Sequence, residues 1–187
     1  MSLKGTNTTS DYIEYDRAVS VAEKLMKDDN RKVIGLYIMV AVNTGLRIGD
    51  ILKLKFSDLK SDTLKLTEQK TGKKREIRLN ERIRKALDAF GDNGDGFVFR
   101  SQKGGVYARQ SINVLLKEEF AKEAKKLNIS SHSLRKAMGR KVFENNGESE
   151  KALTYLSELF NHASPAVTRK YLGIRQEELN NIYDCLV

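Results

Sequence analysis

Residues 131–172 read SHSLRKAMGRKVFENNGESEKALTYLSELFNHASPAVTRKYL and hold both histidines of the chain, His132 and His162. Arg135 follows the first histidine by three residues, and Tyr171 follows the second by nine. Ser130 or Ser131 can cap a helix carrying His132 and Arg135, and residues three apart share one face, so both side chains can meet a single phosphate. A further helix is expected from about Ser149 to Phe160. Ser164 then caps another, which starts at Pro165, the only proline, in the favoured first position. That helix carries Tyr171. Arginine and histidine can hold the charge of a pentacoordinate phosphoryl transition state, and a tyrosine hydroxyl is a nucleophile that leaves a stable ester. The chemistry needs no metal, nucleotide or other cofactor.

Upstream, the apolar run after Lys32 (VIGLYIMVAV) predicts a core helix to about Asn43 that ends at Thr44-Gly45, where glycine can turn left-handed. The chain restarts as Leu46-Arg47-Ile48-Gly49-Asp50, which pins Arg47 between two packed helices and favours bidentate recognition of phosphate. Two alternating runs, Thr63 to Gln69 and Lys74 to Leu79, are joined by Lys70-Thr71-Gly72-Lys73 and predict a β-hairpin. Lys70 sits at the end of the first strand, with Lys73 and Lys74 close by.

Taken in order, Arg47 in Thr-Gly-Leu-Arg, Lys70 on the hairpin, His132-x-x-Arg135, His162 and Tyr171 resemble the tyrosine recombinase family, also called phage integrases. The resemblance runs from about Tyr12 to the C-terminus. It implies a mainly α fold with a small antiparallel β-sheet (α+β), the tyrosine recombinase catalytic-domain fold, over residues 12–187. It further implies a site-specific DNA recombinase that cleaves and rejoins DNA through a 3′-phosphotyrosyl intermediate. In that reading Tyr171 attacks, and Arg47, Arg135 and His162 hold the non-bridging oxygens. Lys70 protonates the leaving 5′ oxygen, and His132 assists proton transfer at the tyrosine. The implied partner is double-stranded DNA, with a tetramer in the synaptic complex and a monomer or weak oligomer when free. Two departures stand out. Asp50 replaces the usual Glu, for which a supporting role beside the arginine is expected, and Phe160-Asn161-His162 replaces Leu-Gly-His, where Asn tolerates the left-handed turn better than most residues. A type IB topoisomerase-like enzyme and a non-catalytic DNA-binding protein of the same fold remain as alternatives.

The rest of the chain fits one domain. At 187 residues it can bury about 70% of its unfolded surface. Residues 1–11 are small and polar and are expected to be disordered. A helix through Ala18, Ala22 and Leu25 follows, stopped by Lys27 to Asn30, with Asp29 or Asn30 as the next cap. Asn80 caps a helix to Phe90, residues 91–96 form a turn, and one amphipathic helix is expected from about Ala108 to Leu127. A last helix carries Ile174, Leu179, Ile182 and Leu186 on one side, for docking onto its own domain or onto a neighbouring protomer. No stretch is long enough for the N-terminal core-binding domain that the family usually carries, so a fragment or a minimal protein is expected. The net charge of +9 suits a polyanionic partner and steep salt dependence. One cysteine, Cys185, excludes an internal disulfide, and no run of 18 apolar residues is present. A cytoplasmic, nucleoid-associated protein without a membrane span is expected.

Overall fold

The expected apolar helix is α2 (Lys32–Thr44), which is buried on almost every face and forms the middle of the main core. The computed structural model describes residues 9–91, 94, 96–101 and 104–186. Residues 1–8 of the segment expected to be disordered, and positions 92, 93 and 95 of the expected turn, lie outside the described residues. α1 (Tyr15–Leu25) packs along α2 through Ala18, Ala22 and Leu25. The cap of α2 differs from expectation. Its first position follows Arg31, with no side-chain cap: the Asp29 carboxylate accepts from Lys32 Nζ at 3.0 Å, and the Asn30 amide donates to the Asp28 carboxylate in the turn.

Two one-turn helices, α3 (Ile48–Ile51) and α4 (Phe56–Leu59), lead to the hairpin of β1 (Thr63–Thr67) and β2 (Lys74–Arg78). The strands pair antiparallel from Thr63 opposite Arg78 to Thr67 opposite Lys74, and they form the sheet of this α+β fold. α5 (Glu81–Phe90) is capped as predicted, Asn80 Oδ1 accepting from the Ile83 amide at 3.1 Å. The single helix expected over 108–127 is two. α6 (Arg109–Glu119) breaks at Phe120, whose ψ of 37° leaves the helical range, before α7 (Ala121–Ala124). The bend keeps the Phe120 ring fully buried. It also brings Glu119 and Glu123 onto Arg31 and Arg17.

α8 (Ser131–Asn145) spans two cores. Leu134 and Ala137, near its start, belong to the main one, while Phe143, near its end, belongs to a second formed with α9 (Glu150–Phe160) and α10 (Pro165–Leu172). The second core holds Leu153, Leu156, Phe160 and Leu172, with Tyr171 packed against it. His132, Arg135 and Tyr171 therefore sit at a seam between two packed units, where a polar cleft can exist without breaking either core.

Gly139 sets how closely α8 approaches α9 and α10. A Cβ there would lie 2.7 Å from Leu172 Cδ2 and 2.9 Å from Phe160 Cε2. Gly139→Ala should therefore cost about 1–3 kcal/mol by overpacking, read as a lower denaturant midpoint. Gly105→Ala, where an added Cβ meets nothing within 4 Å, is the control and should leave the midpoint unchanged.

α11 (Ile174–Asp184) follows Gly173, which is left-handed at φ 81°. Ile174 is buried, but Leu179, Ile182, Tyr183 and Leu186 are exposed. The helix is held near its start by Arg140, which donates to Glu177 at 2.7 Å. Among the described residues no helix is long and apolar enough to cross a membrane.

Candidate active site

Gly45 closes α2 in the left-handed conformation at φ 61°, and Arg47 then takes the extended cap position of α3. That geometry turns the Arg47 side chain towards the end of α9. Its Nη2 donates to the Phe160 carbonyl at 3.1 Å, and its Nη1 donates to Glu68 Oε2 at 2.7 Å. Arg135 arrives at the same place from the first turns of α8. Its Nη2 donates to the Phe160 carbonyl at 3.0 Å, its Nη1 donates to the Gly45 carbonyl, and its guanidinium lies 4.3 Å from the centre of the Phe160 ring. The carbonyls at a helix C-terminus have no intrahelical donors and carry the negative end of the dipole. Two like-charged guanidiniums can therefore share one oxygen there.

The capping of α8 places its histidine. Ser130 Oγ accepts from the His132 amide at 3.1 Å, and the Ser133 hydroxyl in turn accepts from the Ser130 amide at 3.0 Å. At the other end of the site Asn161 is left-handed at φ 53°, so the turn survives the loss of the family's glycine. Ser164 Oγ accepts from the Val167 amide to start α10 at Pro165, as the sequence predicts. Tyr171 then points back at α8, with its Oη 3.4 Å from His132 Nδ1. The His162 ring stands edge-on to the Tyr171 ring at 5.0 Å between centres, and its Nδ1 is 2.9 Å from Thr168 Oγ1. Burial pushes the Tyr171 phenol up to about 12, although the Arg135 and Arg47 charges pull the other way. A free phenolate is thus scarce at neutral pH, and the hydroxyl would need a proton acceptor to act as a nucleophile. His132 is available for that role. Burial, helped by the Arg135, Lys136, Arg47 and Lys70 charges, holds it below its usual range and hence neutral.

Lys70 is exposed and lines a cavity of about 470 Å³ together with Arg47, Asp50, Gln69, Arg109 and His132. Its neighbour Lys73, the rival by position, donates instead to Asn161 Oδ1 at 2.5 Å, which ties the hairpin to the turn before His162. A larger cavity of about 570 Å³ between α1, α2 and α5 contains none of the six residues. The structure thus gathers Arg47, His132, Arg135, His162 and Tyr171 around one point, and Lys70 at the rim.

One expectation is corrected. Asp50 does not pair with Arg47; its Oδ1 accepts from the Gln69 amide at 2.9 Å and so anchors the end of the hairpin. The carboxylate on Arg47 belongs to Glu68, which nothing in the local sequence marks. Burial would raise the Glu68 carboxyl, but hydrogen bonds from Thr71 and Arg47 and the charges of Arg47 and Arg75 outweigh it and hold it below the usual range. Only the strand pairing, which brings Arg75 beside Glu68, reveals that role. Phe160 and Thr168 carry no such signal in the sequence, since an aromatic and a threonine at those places read as ordinary packing.

His162 gives the fold a pH signature. Burial, with the Arg135 and Arg47 charges, lowers it to about 4 from the ordinary 6.5. The unfolded chain therefore takes up this proton first as pH falls, so the contribution is intact above about 6.5 and is lost towards 4. His162→Asn should flatten the decline in melting temperature across that window relative to the wild type. Identical slopes in the two proteins would refute the assignment.

The chain matches the phage integrase family over residues 13–178. The probable integrase/recombinase YoeC of Bacillus subtilis (strain 168) is 27% identical over 172 residues, which cover 88% of this chain and 90% of that protein. The tyrosine recombinase XerC of Xanthomonas campestris pv. campestris (strain B100) is 24% identical over 147 residues, 76% of this chain but only 44% of that protein. Among solved structures, the XerA recombinase aligns with a TM-score of 0.70 at 21% identity, covering 96% of this chain and 64% of that chain. The XerH site-specific recombinase bound to its palindromic difH substrate aligns at 0.69 and 21%, covering 98% and 56%. The chain thus spans about half to two thirds of these longer recombinases and most of the Bacillus protein. With its matched residues running from α1 into α11 and its helices arranged as in those structures, the chain belongs to the phage integrase family and has the tyrosine recombinase catalytic-domain fold.

Proposed function

We propose that this chain is the catalytic domain of a site-specific DNA recombinase, and that Tyr171 is its nucleophile. The observation that carries the reading is the meeting of Tyr171 Oη with His132 Nδ1, beside two guanidiniums fixed on one carbonyl. In the proposed step Oη forms a bond to a backbone phosphorus and the bond from phosphorus to the 5′ oxygen breaks. The phenolic proton passes to His132, whose ring proton then sits on Nε2, and Lys70 supplies a proton to the departing 5′ oxygen. Arg47, Arg135 and His162 hold the non-bridging oxygens. The phosphotyrosyl ester conserves the energy of the bond it replaces, so rejoining is the reverse attack by a 5′ hydroxyl.

Double-stranded DNA is the partner that the net charge of +9 favours. Self-association on DNA, up to a synaptic tetramer, fits the exposed apolar residues Leu179, Ile182, Tyr183 and Leu186 of the last helix. The working domain comprises residues 12–187, and the place of action is the nucleoid.

The test is incubation with nicked suicide duplexes covering candidate attachment sites, followed by a denaturing gel. A protein–DNA adduct with strand exchange between two sites supports the recombinase. Adduct formation with relaxation of supercoils and no exchange would transfer the reading to a topoisomerase. DNA binding with no adduct on any duplex would make the chain a non-catalytic binding protein.

A further inference from the structure

Three arginines from three separate elements end on the last two carbonyls of α9. Arg47 and Arg135 take Phe160, and Arg75, from β2, donates its Nη1 to the Leu159 carbonyl. The same Arg75 Nη1 donates to Glu68 Oε1 at 3.0 Å, while Glu68 Oε2 accepts from Arg47 at 2.7 Å and from the Thr71 hydroxyl at 2.8 Å. The Glu68 side chain has no exposed surface. A buried carboxylate is held only if its lone pairs are matched, and here every hydrogen bond it accepts comes either from a guanidinium or from the turn that bears Lys70.

We propose that Glu68 and Arg75 are positioning residues for phosphate, acting through Arg47, and that Arg75 locks the Lys70 hairpin onto the end of α9. The proposal rests on the strand-transfer reading above. Without Glu68, Arg47 keeps a single contact, to Phe160, and a guanidinium on four rotatable bonds can swing away from the cleft. With it, two of the five N–H groups are fixed and the direction of the remaining three is set. Arg75 completes the unit because one carboxylate facing one guanidinium and one hydroxyl would leave Oε1 without a donor. The chain of contacts from Arg47 through Glu68 and Arg75 to Leu159 also links the hairpin to the turn that carries His162, so the groups meant for the leaving oxygen and for the phosphate move as one.

The experiment measures single-turnover adduct formation on suicide duplexes for wild type, Glu68→Gln, Arg75→Met and Arg75→Lys, with melting curves to verify folding. Glu68→Gln keeps the shape of the side chain and removes its charge. Loss of alignment at the reacting group should slow adduct formation by about 10- to 100-fold, with DNA binding unchanged or slightly tighter, since a negative charge has gone. Arg75→Met should fall in the same range, and Arg75→Lys should recover part of it, because both contacts leave from the one nitrogen Nη1 and an ammonium has enough N–H groups for both but sits on a shorter side chain. A duplex whose scissile phosphate is replaced by a neutral methylphosphonate separates positioning from general damage. There the charge that Arg47 serves is absent, so the penalties of Glu68→Gln and Arg75→Met should largely vanish, as should that of Arg47→Ala. Equal penalties on both duplexes, or no penalty on the ordinary one, would overturn the proposal. Failure of the wild type to form any adduct would instead sink the strand-transfer reading. In that case the arginine side-chain ¹H–¹⁵N spectrum decides: restricted Arg47 rotation that is freed in Glu68→Gln supports the positioning role, and an unchanged Arg47 signal refutes it.

Discussion

Tyr171→Phe should abolish the covalent protein–DNA adduct, a loss of about 10⁴-fold or more in cleavage rate, and should leave DNA binding and folding nearly intact. The substitution removes one oxygen. The ring stays packed edge-on against Phe160 and His162, at 5.8 and 5.0 Å between centres. The hydroxyl contributes modestly to stability, because it approaches His132 Nδ1 at 3.4 Å and hydrogen-bonds with the Arg135 side chain, and a net hydrogen bond is worth about 1 kcal/mol. Melting temperature and duplex affinity therefore serve as internal controls in the same preparation. Persistence of the adduct would point to another phenol, and Tyr155 and Tyr183 are the exposed alternatives. Both lie on outward helix faces without an arginine pair, so a surviving adduct would contradict the geometric argument as well as the choice of residue.

Much of the site is legible in the sequence because local rules place it. The left-handed closures at Gly45 and Asn161 and the Ser164-Pro165 helix start each follow from one or two residues, and together they aim Arg47, His162 and Tyr171. What escapes is set by contacts between elements distant in sequence. Glu68 and Arg47 are 21 residues apart, and Arg75 lies 84 residues from the carbonyl it meets. Nothing in periodicity distinguishes a strand glutamate facing solvent from one swallowed between two guanidiniums. The break at Phe120 is another such case. Residues 109–127 contain neither proline nor glycine, so propensity predicts one helix. The long-range demands of a buried Phe120 ring and of the Arg17 and Arg31 ion pairs bend it. The apolar stripe of the last helix is also legible, yet the folded chain leaves most of it exposed, since only Ile174 reaches the second core.

Arg135 offers the second large effect, and its interest lies in separating activity from stability. The residue is 4% exposed, and burial, together with repulsion from Arg47, lowers its guanidinium to about 10. Its positive form is therefore less comfortable in the empty fold than in water. Against that stand two carbonyls and the face of Phe160, of which the Phe160 oxygen would keep Arg47 as a donor if Arg135 were lost. Arg135→Met should then cost little stability, since an orphaned Gly45 carbonyl, worth about 1–3 kcal/mol, is offset by relief of the buried charge. Cleavage should nevertheless fall by about 10²–10³-fold, the usual consequence of removing one preorganised donor to a developing anion. Arg135→Lys should fall almost as far, because a single ammonium cannot span both carbonyls. Added inorganic phosphate should raise the melting temperature of the wild type more than that of Arg135→Met, since the anion supplies the missing countercharge. A variant that unfolds yet cleaves normally per folded molecule would assign Arg135 to the fold. The opposite pattern assigns it to the phosphate, where its charge is a standing cost to the empty protein and a gain only when DNA is bound.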